Sequence, residues 1–245
     1  MVLIRYLLYF FGVALFTWLL TKIEIASPGA LKLQVFTHAE DALGTSEFSP
    51  VEMLQPGVLA VCGLLLAWVV EQCPQQRPVA LTFGALAAMF FLRELDFFLD
   101  RLVADNFWQA PVAIIAALLI VYTWRQQKRL RLAWTRIWPS PGLALLFAGA
   151  LVQFAFVPFV GHEPLWQAVL GEHYQRIFKL ALEEFIELLG YFLWLIGTLE
   201  YALQARALAR REPQPAAARR RLGPHWRRHR RQAGDDHRRR RLHRG

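Results

Sequence analysis

Residues 141–160 read PGLALLFAGALVQFAFVPFV, twenty residues without a charged side chain. An α-helix of about 20 apolar residues is long enough to cross the hydrocarbon core of a bilayer. The rest of the chain is similarly apolar, because 56% of its 245 residues are hydrophobic and only 19% are charged. An ordinary soluble domain of this size is less apolar. This composition predicts a membrane protein and excludes a disordered, collagen-like or disulfide-stapled chain.

Five further stretches share this character. Lipid offers the backbone no hydrogen-bond partner, so each stretch is expected to be helical, and continuous apolarity is not typical of β-barrel strands. We predict an all-α, polytopic bundle of six transmembrane helices in residues 1–205. The predicted spans are about 2–21, 57–72, 79–99, 107–123, 141–160 and 182–203. The first is longer than the apolar core of a signal peptide, which favours an uncleaved anchor.

Helix starts are indicated at two serine–proline pairs, Ser49-Pro50 and Ser140-Pro141. Serine is a preferred N-cap residue, and proline is favoured at the first helical position. Between Gly161 and Lys179, apolar residues recur at helical spacing, which predicts a short helix lying in the membrane interface. Residues 31–35 alternate apolar and polar side chains, as a strand would.

Basic residues predict the orientation of the bundle. Loops on the cytoplasmic side of membrane proteins are rich in Lys and Arg. Alternate loops of this chain place 22 of these residues on one side and six on the other, and the loop at 124–140 alone contributes five to the richer side. The predicted location is the inner membrane of a bacterium, with both termini in the cytoplasm.

Residues 206–245 contain fifteen arginines and no lysine. They have too few apolar side chains to form a core, so we predict a disordered basic tail in the cytoplasm. The favoured interpretation is a solvated extension without a partner, because all of its basic residues are arginine. The alternative is electrostatic binding to anionic lipid headgroups, which would be its partners beside the bilayer itself. Specific nucleic-acid binding is not predicted, because Trp226 is the only aromatic residue there that could stack on a base.

Acidic residues cluster at the predicted outer ends of two spans. Charged side chains inside a membrane helix are costly and usually face the interior of the bundle. The third span ends in RELDFFLDR at 93–101, and the sixth contains EEFIELLG at 183–190. Arg93, Asp96 and Asp100 recur at i, i+3 and i+7, so we expect them to share one face of the third span, while Glu94 and Arg101 share another. The candidate polar cluster comprises Arg93, Glu94, Asp96, Asp100, Glu183, Glu184 and Glu187.

Small residues predict how the third and sixth spans meet. On the sixth, Gly190 and Gly197 follow Glu187 on one face, and glycine lets a neighbouring helix approach closely. The third span offers a complementary surface of Thr82, Gly84, Ala85 and Ala88. We therefore expect these two spans to pack through their small residues, with their acidic ends adjacent. Gln153 of the fifth span is expected to join the cluster through a hydrogen bond.

Three functions fit these residues. The first is a self-neutralising network that fixes helix packing or binds a partner, because Lys179 precedes Glu183 by four residues and Arg93 precedes Asp96 by three. The sequence does not identify a protein partner. The second is handling of protons or cations by crowded carboxylates. The first is favoured, so no enzymatic activity is assigned.

The third function is that of a membrane-embedded, metal-dependent hydrolase. His38, His162 and His173 all fall on the predicted outer side, and His162, His173 and Glu187 are the candidate ligands for a divalent metal. None of these histidines has the spacing of a known zinc motif, so no cofactor is predicted. Cys62 and Cys73 would lie about 16 Å apart along a helix and could not form a disulfide.

Overall fold

Helices account for nearly all of the computed structural model, which describes residues 2–27, 30–31 and 50–211. These residues contain no strand, so the all-α prediction is confirmed for them. In chain order the helices are α1 (Val2–Ala26), α2 (Pro50–Gln72), α3 (Arg77–Glu94), α4 (Asp96–Leu102), α5 (Gln109–Ile137), α6 (Pro141–Leu151), α7 (Val157–Val160), α8 (Glu163–Leu170) and α9 (Arg176–Arg211). A π-helical turn at Val152–Phe156 joins α6 to α7, and a 3-10 turn follows α8 at Gly171–His173.

Three helical stretches are long and apolar enough to cross a membrane: Leu3–Ala26, Pro50–Gln72 and Pro141–Val160. They coincide with the predicted first, second and fifth spans. By contacts, the chain up to Ala209 forms one unit, and Arg210 with Arg211 at the end of α9 belongs to a second.

Both proline-marked helix starts are confirmed. α2 begins at Pro50, earlier than the predicted span at residue 57. At α6 the Ser140 Oγ accepts a hydrogen bond from the Leu143 backbone N–H at 3.1 Å, which caps the helix as predicted. The short interfacial helix predicted after Gly161 corresponds to α8.

Residues 124–137 of the basic loop predicted at 124–140 are instead the second half of α5. Ala133 and Ile137 are buried there, and the Gln76 amide donates a hydrogen bond to the Ala133 carbonyl at 3.2 Å. Arginine and lysine are good helix formers, and the buried residues recur on one helical face. The prediction of a loop was wrong because the basic residues occupy only the exposed side of that helix.

The third span is not one continuous helix to residue 99. α3 ends at Glu94, Leu95 adopts φ −100° and ψ 11°, and α4 begins at Asp96. The spacing predicted that Arg93, Asp96 and Asp100 share one face of a single helix. This prediction was wrong, because Arg93 belongs to α3 and the two aspartates belong to α4.

Glycines bring α6 and α9 together. A Cβ added to Gly197 would lie 2.8 Å from the Leu146 nitrogen and 2.9 Å from the Gly142 oxygen, so only glycine fits. The glycine face of α9 is buried, but it packs on α6 and not on the small surface of α3. Gly84 of α3 lies beside Leu66 of α2, and a Cβ added to Gly84 would lie 3.8 Å from the Leu66 Cβ.

Aromatic side chains fill the contact between α3 and α9. Phe90 and Trp194 pack edge to face with centroids 5.5 Å apart, and Phe83 packs on Trp194 at 6.1 Å and Tyr201 at 6.3 Å. Edge-to-face pairs at these distances add to the stabilisation from burial alone. The predicted pairing of the third and sixth spans is therefore present, but large rings mediate it.

α1 packs loosely and is held to α9 by charge. Leu20 is its only buried side chain among those described. Near its start, Arg5 forms two hydrogen bonds to Glu200, from Nε to Oε1 at 2.8 Å and from Nη2 to Oε2 at 2.9 Å, and the Tyr9 hydroxyl donates to Glu200 at 2.9 Å. Further along, an apolar groove of about 350 Å³ separates α1 from α9.

α9 continues through Arg211, so residues 206–211, predicted as the start of the disordered tail, are helical. The remainder of that tail, the predicted strand after Leu31 and His38 lie outside the described residues.

Candidate functional site

The centre of the candidate site is a contact between α3 and α9. Arg93 Nη2 donates to Glu187 Oε1 at 2.7 Å, and Arg93 Nη1 lies 3.4 Å from Glu94 Oε1. The two carboxylates are nearly buried, with side chains 6% and 10% exposed, whereas the arginine side chain is 41% exposed. The Arg93 guanidinium therefore contacts both the Glu94 and the Glu187 carboxylate at the edge of the core.

Two further side chains fix this centre. The buried Tyr191 hydroxyl donates to Glu94 Oε1 at 2.5 Å. Gln153, in the π-helical turn, donates from Nε2 to the Glu187 carbonyl at 2.8 Å, so it bonds to the cluster as the sequence predicted. Gly190 leaves room for this bond, because an added Cβ would lie 2.7 Å from the Gln153 amide nitrogen and the glutamine side chain would have to shift.

α2 contributes residues that sequence reasoning missed. The Gln55 amide, buried at 1% exposure, donates to Glu184 Oε2 at 2.8 Å. Glu52 lies one turn earlier on the same helix. Both precede the predicted second span, which was taken to begin at residue 57. The proline-marked start at Pro50 was the signal that could have placed them inside a helix.

A cavity of about 220 Å³ lies where α2, α3, α4 and α9 meet. Its lining is polar and contains more acidic than basic side chains, with five carboxylates and one guanidinium. The lining residues are Glu52, Met53, Gln55, Pro56, Arg93, Glu94, Asp96, Phe98, Glu184 and Glu187. Five of the seven residues of the predicted polar cluster are among them.

The other two members of the predicted cluster bond elsewhere. Asp100 accepts a hydrogen bond from the Phe107 backbone N–H at 3.1 Å and so closes the loop after α4. Glu183 forms an ion pair with Lys179 at 2.8 Å, the four-residue spacing that the sequence predicted, and its carboxylate lies against Gly161. Neither residue lines the cavity.

The histidines proposed as metal ligands are exposed and lie apart from the cavity lining. His162 immediately precedes α8, and His173 ends the 3-10 turn. Among residues 2–27, 30–31 and 50–211, no group of three or more His, Cys, Asp or Glu side chains is arranged to hold a metal ion. Glu187 bonds to Arg93. Cys62 and Cys73 are both buried and unpaired, as expected from their spacing.

No protein family, curated protein or solved structure matches this chain. The chemistry of the cavity is therefore the basis on which a function can be proposed.

Proposed function

We propose that this chain is a six-span inner-membrane protein whose acidic cavity binds small cations, protons included. The observation that carries the proposal is that Glu94, Glu184 and Glu187 line the cavity together with one guanidinium, that of Arg93. Burying ionised carboxylates is costly unless opposite charge accompanies them. Arg93 contacts Glu94 and Glu187, whereas the bonds from Tyr191 to Glu94 and from Gln55 to Glu184 come from neutral groups, so a positively charged occupant is favoured.

The six-span topology is supported by the lengths of the three remaining long helices. α3 has 18 residues, about 27 Å, which approaches the thickness of the hydrocarbon core. α5 and α9 are longer, with 29 and 36 residues. On α5, Ile114, Leu118 and Ile120 are more than 60% exposed, as expected for side chains that face lipid. In this topology the acidic cavity opens toward the outer side, and both termini are cytoplasmic.

A second candidate function is a purely structural network that fixes the packing of α2, α3 and α9. It is favoured by the hydrogen bonds already made inside the cluster, since Glu94, Glu184 and Glu187 each accept one from Tyr191, Gln55 or Arg93. The two candidates differ in one respect, because a structural network gains no stability from a cation added to the solution.

Cation binding can be tested by its effect on thermal stability, since a ligand that binds only the folded state raises the melting temperature. Detergent-purified protein is unfolded in sodium chloride, methylammonium chloride and the chloride of bulky N-methylglucamine at equal ionic strength. A small cation is expected to raise Tm above its value in N-methylglucamine. The double substitution Glu184→Gln/Glu187→Gln is expected to abolish the difference.

The matched control is Glu172→Gln, which removes an exposed carboxylate remote from the cavity lining. This variant should retain the full difference between salts. If wild type has the same Tm in all three salts, cation binding is wrong and the structural network is left as the function of these residues.

A further inference from the structure

The apolar groove between α1 and α9 is about as long as one leaflet of a bilayer is thick. One wall is a face of α1 that begins at Val13 and includes Glu24, and the other is a face of α9 that includes Phe185, Leu188 and Phe192. Val13 and Glu24 are eleven residues apart, which is about 16 Å along a helix and about half of the roughly 30 Å hydrocarbon core. The groove therefore has the length to receive one acyl chain of one leaflet.

The threonine hydroxyls in the groove wall bond to their own helix. Thr17 Oγ1 donates to the Val13 carbonyl at 3.1 Å and to the Ala14 carbonyl at 3.0 Å, and Thr21 Oγ1 donates to the Thr17 carbonyl at 2.9 Å. Apart from these threonines and Glu24, the described lining is aliphatic or aromatic. The wall therefore suits a hydrocarbon chain, which neither donates nor accepts a hydrogen bond.

The two ends of the groove differ in chemistry. Phe192 packs edge to face on Phe16 of α1, with ring centroids 5.3 Å apart, so the two helices are in aromatic contact at the deeper end. At the other end, Glu24 lies in the last turn of α1, and its Oε2 accepts a hydrogen bond from the Leu31 backbone N–H at 2.9 Å. In the proposed topology, α1 ends on the outer side, so this carboxylate lies at the headgroup end of the groove.

The Glu24 carboxylate determines which headgroup fits. A carboxylate has two oxygens and about four acceptor sites, so Glu24 can accept a bond from a ligand while it is bonded to Leu31. Its negative charge repels an anionic headgroup and attracts a cationic one. A primary ammonium group can also donate charge-assisted hydrogen bonds, which are stronger than neutral ones, whereas a quaternary ammonium group has no N–H to donate.

We propose that the groove binds an outer-leaflet phospholipid with a primary ammonium headgroup, whose acyl chain lies between α1 and α9 and whose ammonium bonds to Glu24. The bound chain supplies packing to α1, where Leu20 is the only buried side chain among those described. In the described part of the chain, no residue lines both this groove and the acidic cavity. The inference therefore goes beyond cation binding and shares with the proposed function only the orientation of α1.

The test is lipid retention by full-length protein, freed of lipid in detergent and measured by native mass spectrometry. Phosphatidylethanolamine, phosphatidylcholine and phosphatidylglycerol with identical acyl chains are added singly at equal concentration. Wild type is expected to bind phosphatidylethanolamine roughly tenfold more tightly than the other two. Glu24→Gln keeps an acceptor oxygen for the Leu31 N–H and should abolish this preference, whereas Glu172→Gln, at an exposed carboxylate outside the lining, should retain it.

A second pair of variants tests the groove itself. Thr21→Trp introduces a large ring from an exposed position in the lining and should reduce retention of all three lipids. Thr135→Trp on α5, the same substitution at an exposed residue outside the lining, should leave retention unchanged. No retention or equal retention of the three lipids by wild type, or a preference that survives in Glu24→Gln, would overturn the inference. Unchanged retention in Thr21→Trp would overturn it as well, because the lipid would then bind outside the groove.

Discussion

Arg93 Nη2 lies 2.7 Å from Glu187 Oε1, although the two residues are 94 positions apart in the chain. Glu187 is 6% exposed at its side chain, so most of its contact with water has been replaced by this one guanidinium and its neighbours. The pair joins α3 to α9 at the rim of the acidic cavity. Its energetics differ from those of an exposed salt bridge, because the free-energy cost of removing the Glu187 carboxylate from water has to be offset by Arg93 and the neighbouring groups.

The first prediction is that Arg93→Gln destabilises the protein. Removing the guanidinium leaves the nearly buried Glu187 and Glu94 carboxylates without their counter-ion, but Arg93 is 41% exposed, so the loss should be smaller than the loss of about 3–5 kcal/mol typical of fully buried pairs. The double variant Arg93→Gln/Glu187→Gln should be more stable than the sum of the two single effects implies. Thermal unfolding of the four proteins in detergent gives the coupling, and strictly additive effects would show that the two side chains do not interact.

A second prediction concerns the close approach of α6 and α9. Gly197→Ala is expected to lower the free energy of unfolding by about 1–3 kcal/mol, because the new Cβ meets backbone atoms that cannot move independently. The matched control is Gly84→Ala, whose Cβ would make an ordinary 3.8 Å contact with Leu66. That change should be neutral or slightly stabilising, since alanine is the better helix former. Equal loss of stability in both variants would argue against tight α6–α9 packing.

The proposed topology predicts which sites a membrane-impermeant maleimide reaches in intact cells. Glu172→Cys should be labelled from outside, whereas Lys128→Cys on α5 should be labelled only after the membrane is permeabilised. Both positions are exposed in the folded protein, so accessibility depends on the side of the membrane. Labelling of Lys128→Cys in intact cells would contradict the orientation.

Wild-type protein provides the background for that experiment. Cys62 and Cys73 are buried, at 0% and 1% exposure, and burial raises the pKa of the Cys73 thiol, which lies just beyond α2. Because the thiolate is the reactive form, neither cysteine should react in the folded protein. Both should react after denaturation, which checks that the reagent is active.

The last prediction concerns the contact between α1 and α9. Glu200→Gln should lower Tm, because Arg5 loses the carboxylate to which it makes two hydrogen bonds. Tyr9→Phe should have a smaller effect, since it removes one neutral donor and leaves the ion pair intact. Restoration of Tm by the exchanged pair Arg5→Glu/Glu200→Arg would attribute the effect to this contact, whereas a further decrease would not.

Local signals in the sequence predicted local structure well. The apolar run at 141–160, the serine–proline starts and the helix before α9 all depend on residues close together in the chain. The interruption at Leu95 was not predictable in this way, because nothing in RELDFFLDR breaks a helix by propensity alone. The basic half of α5 was predicted as a loop because its charged residues were interpreted only as a signal for the cytoplasmic side of the membrane. The apolar positions Ala133 and Ile137 in the same segment, which are buried in the structure, were not recognised as one face of a helix.

The candidate site was predictable only where its residues lie within recognisable spans. Arg93, Glu94, Asp96, Glu184 and Glu187 were expected because charge in a membrane helix is unusual. Glu52 and Gln55 precede the predicted second span, and although the Ser49-Pro50 pair indicated a helix there, only the packing of α2 on α3 and α9 places them in the cavity. Glu200 was equally hidden, because its contact with Arg5 joins residues 195 positions apart.

That separation has a consequence for how the protein is made. A chain is synthesised from its N-terminus, so α1 exists long before α9 emerges from the ribosome. Until Glu200 arrives, Arg5 is a cation on a loosely held helix without its carboxylate. The contact between α1 and α9 can therefore form only after most of the chain has been made, and a chain that ends before residue 200 would leave its first helix without that contact.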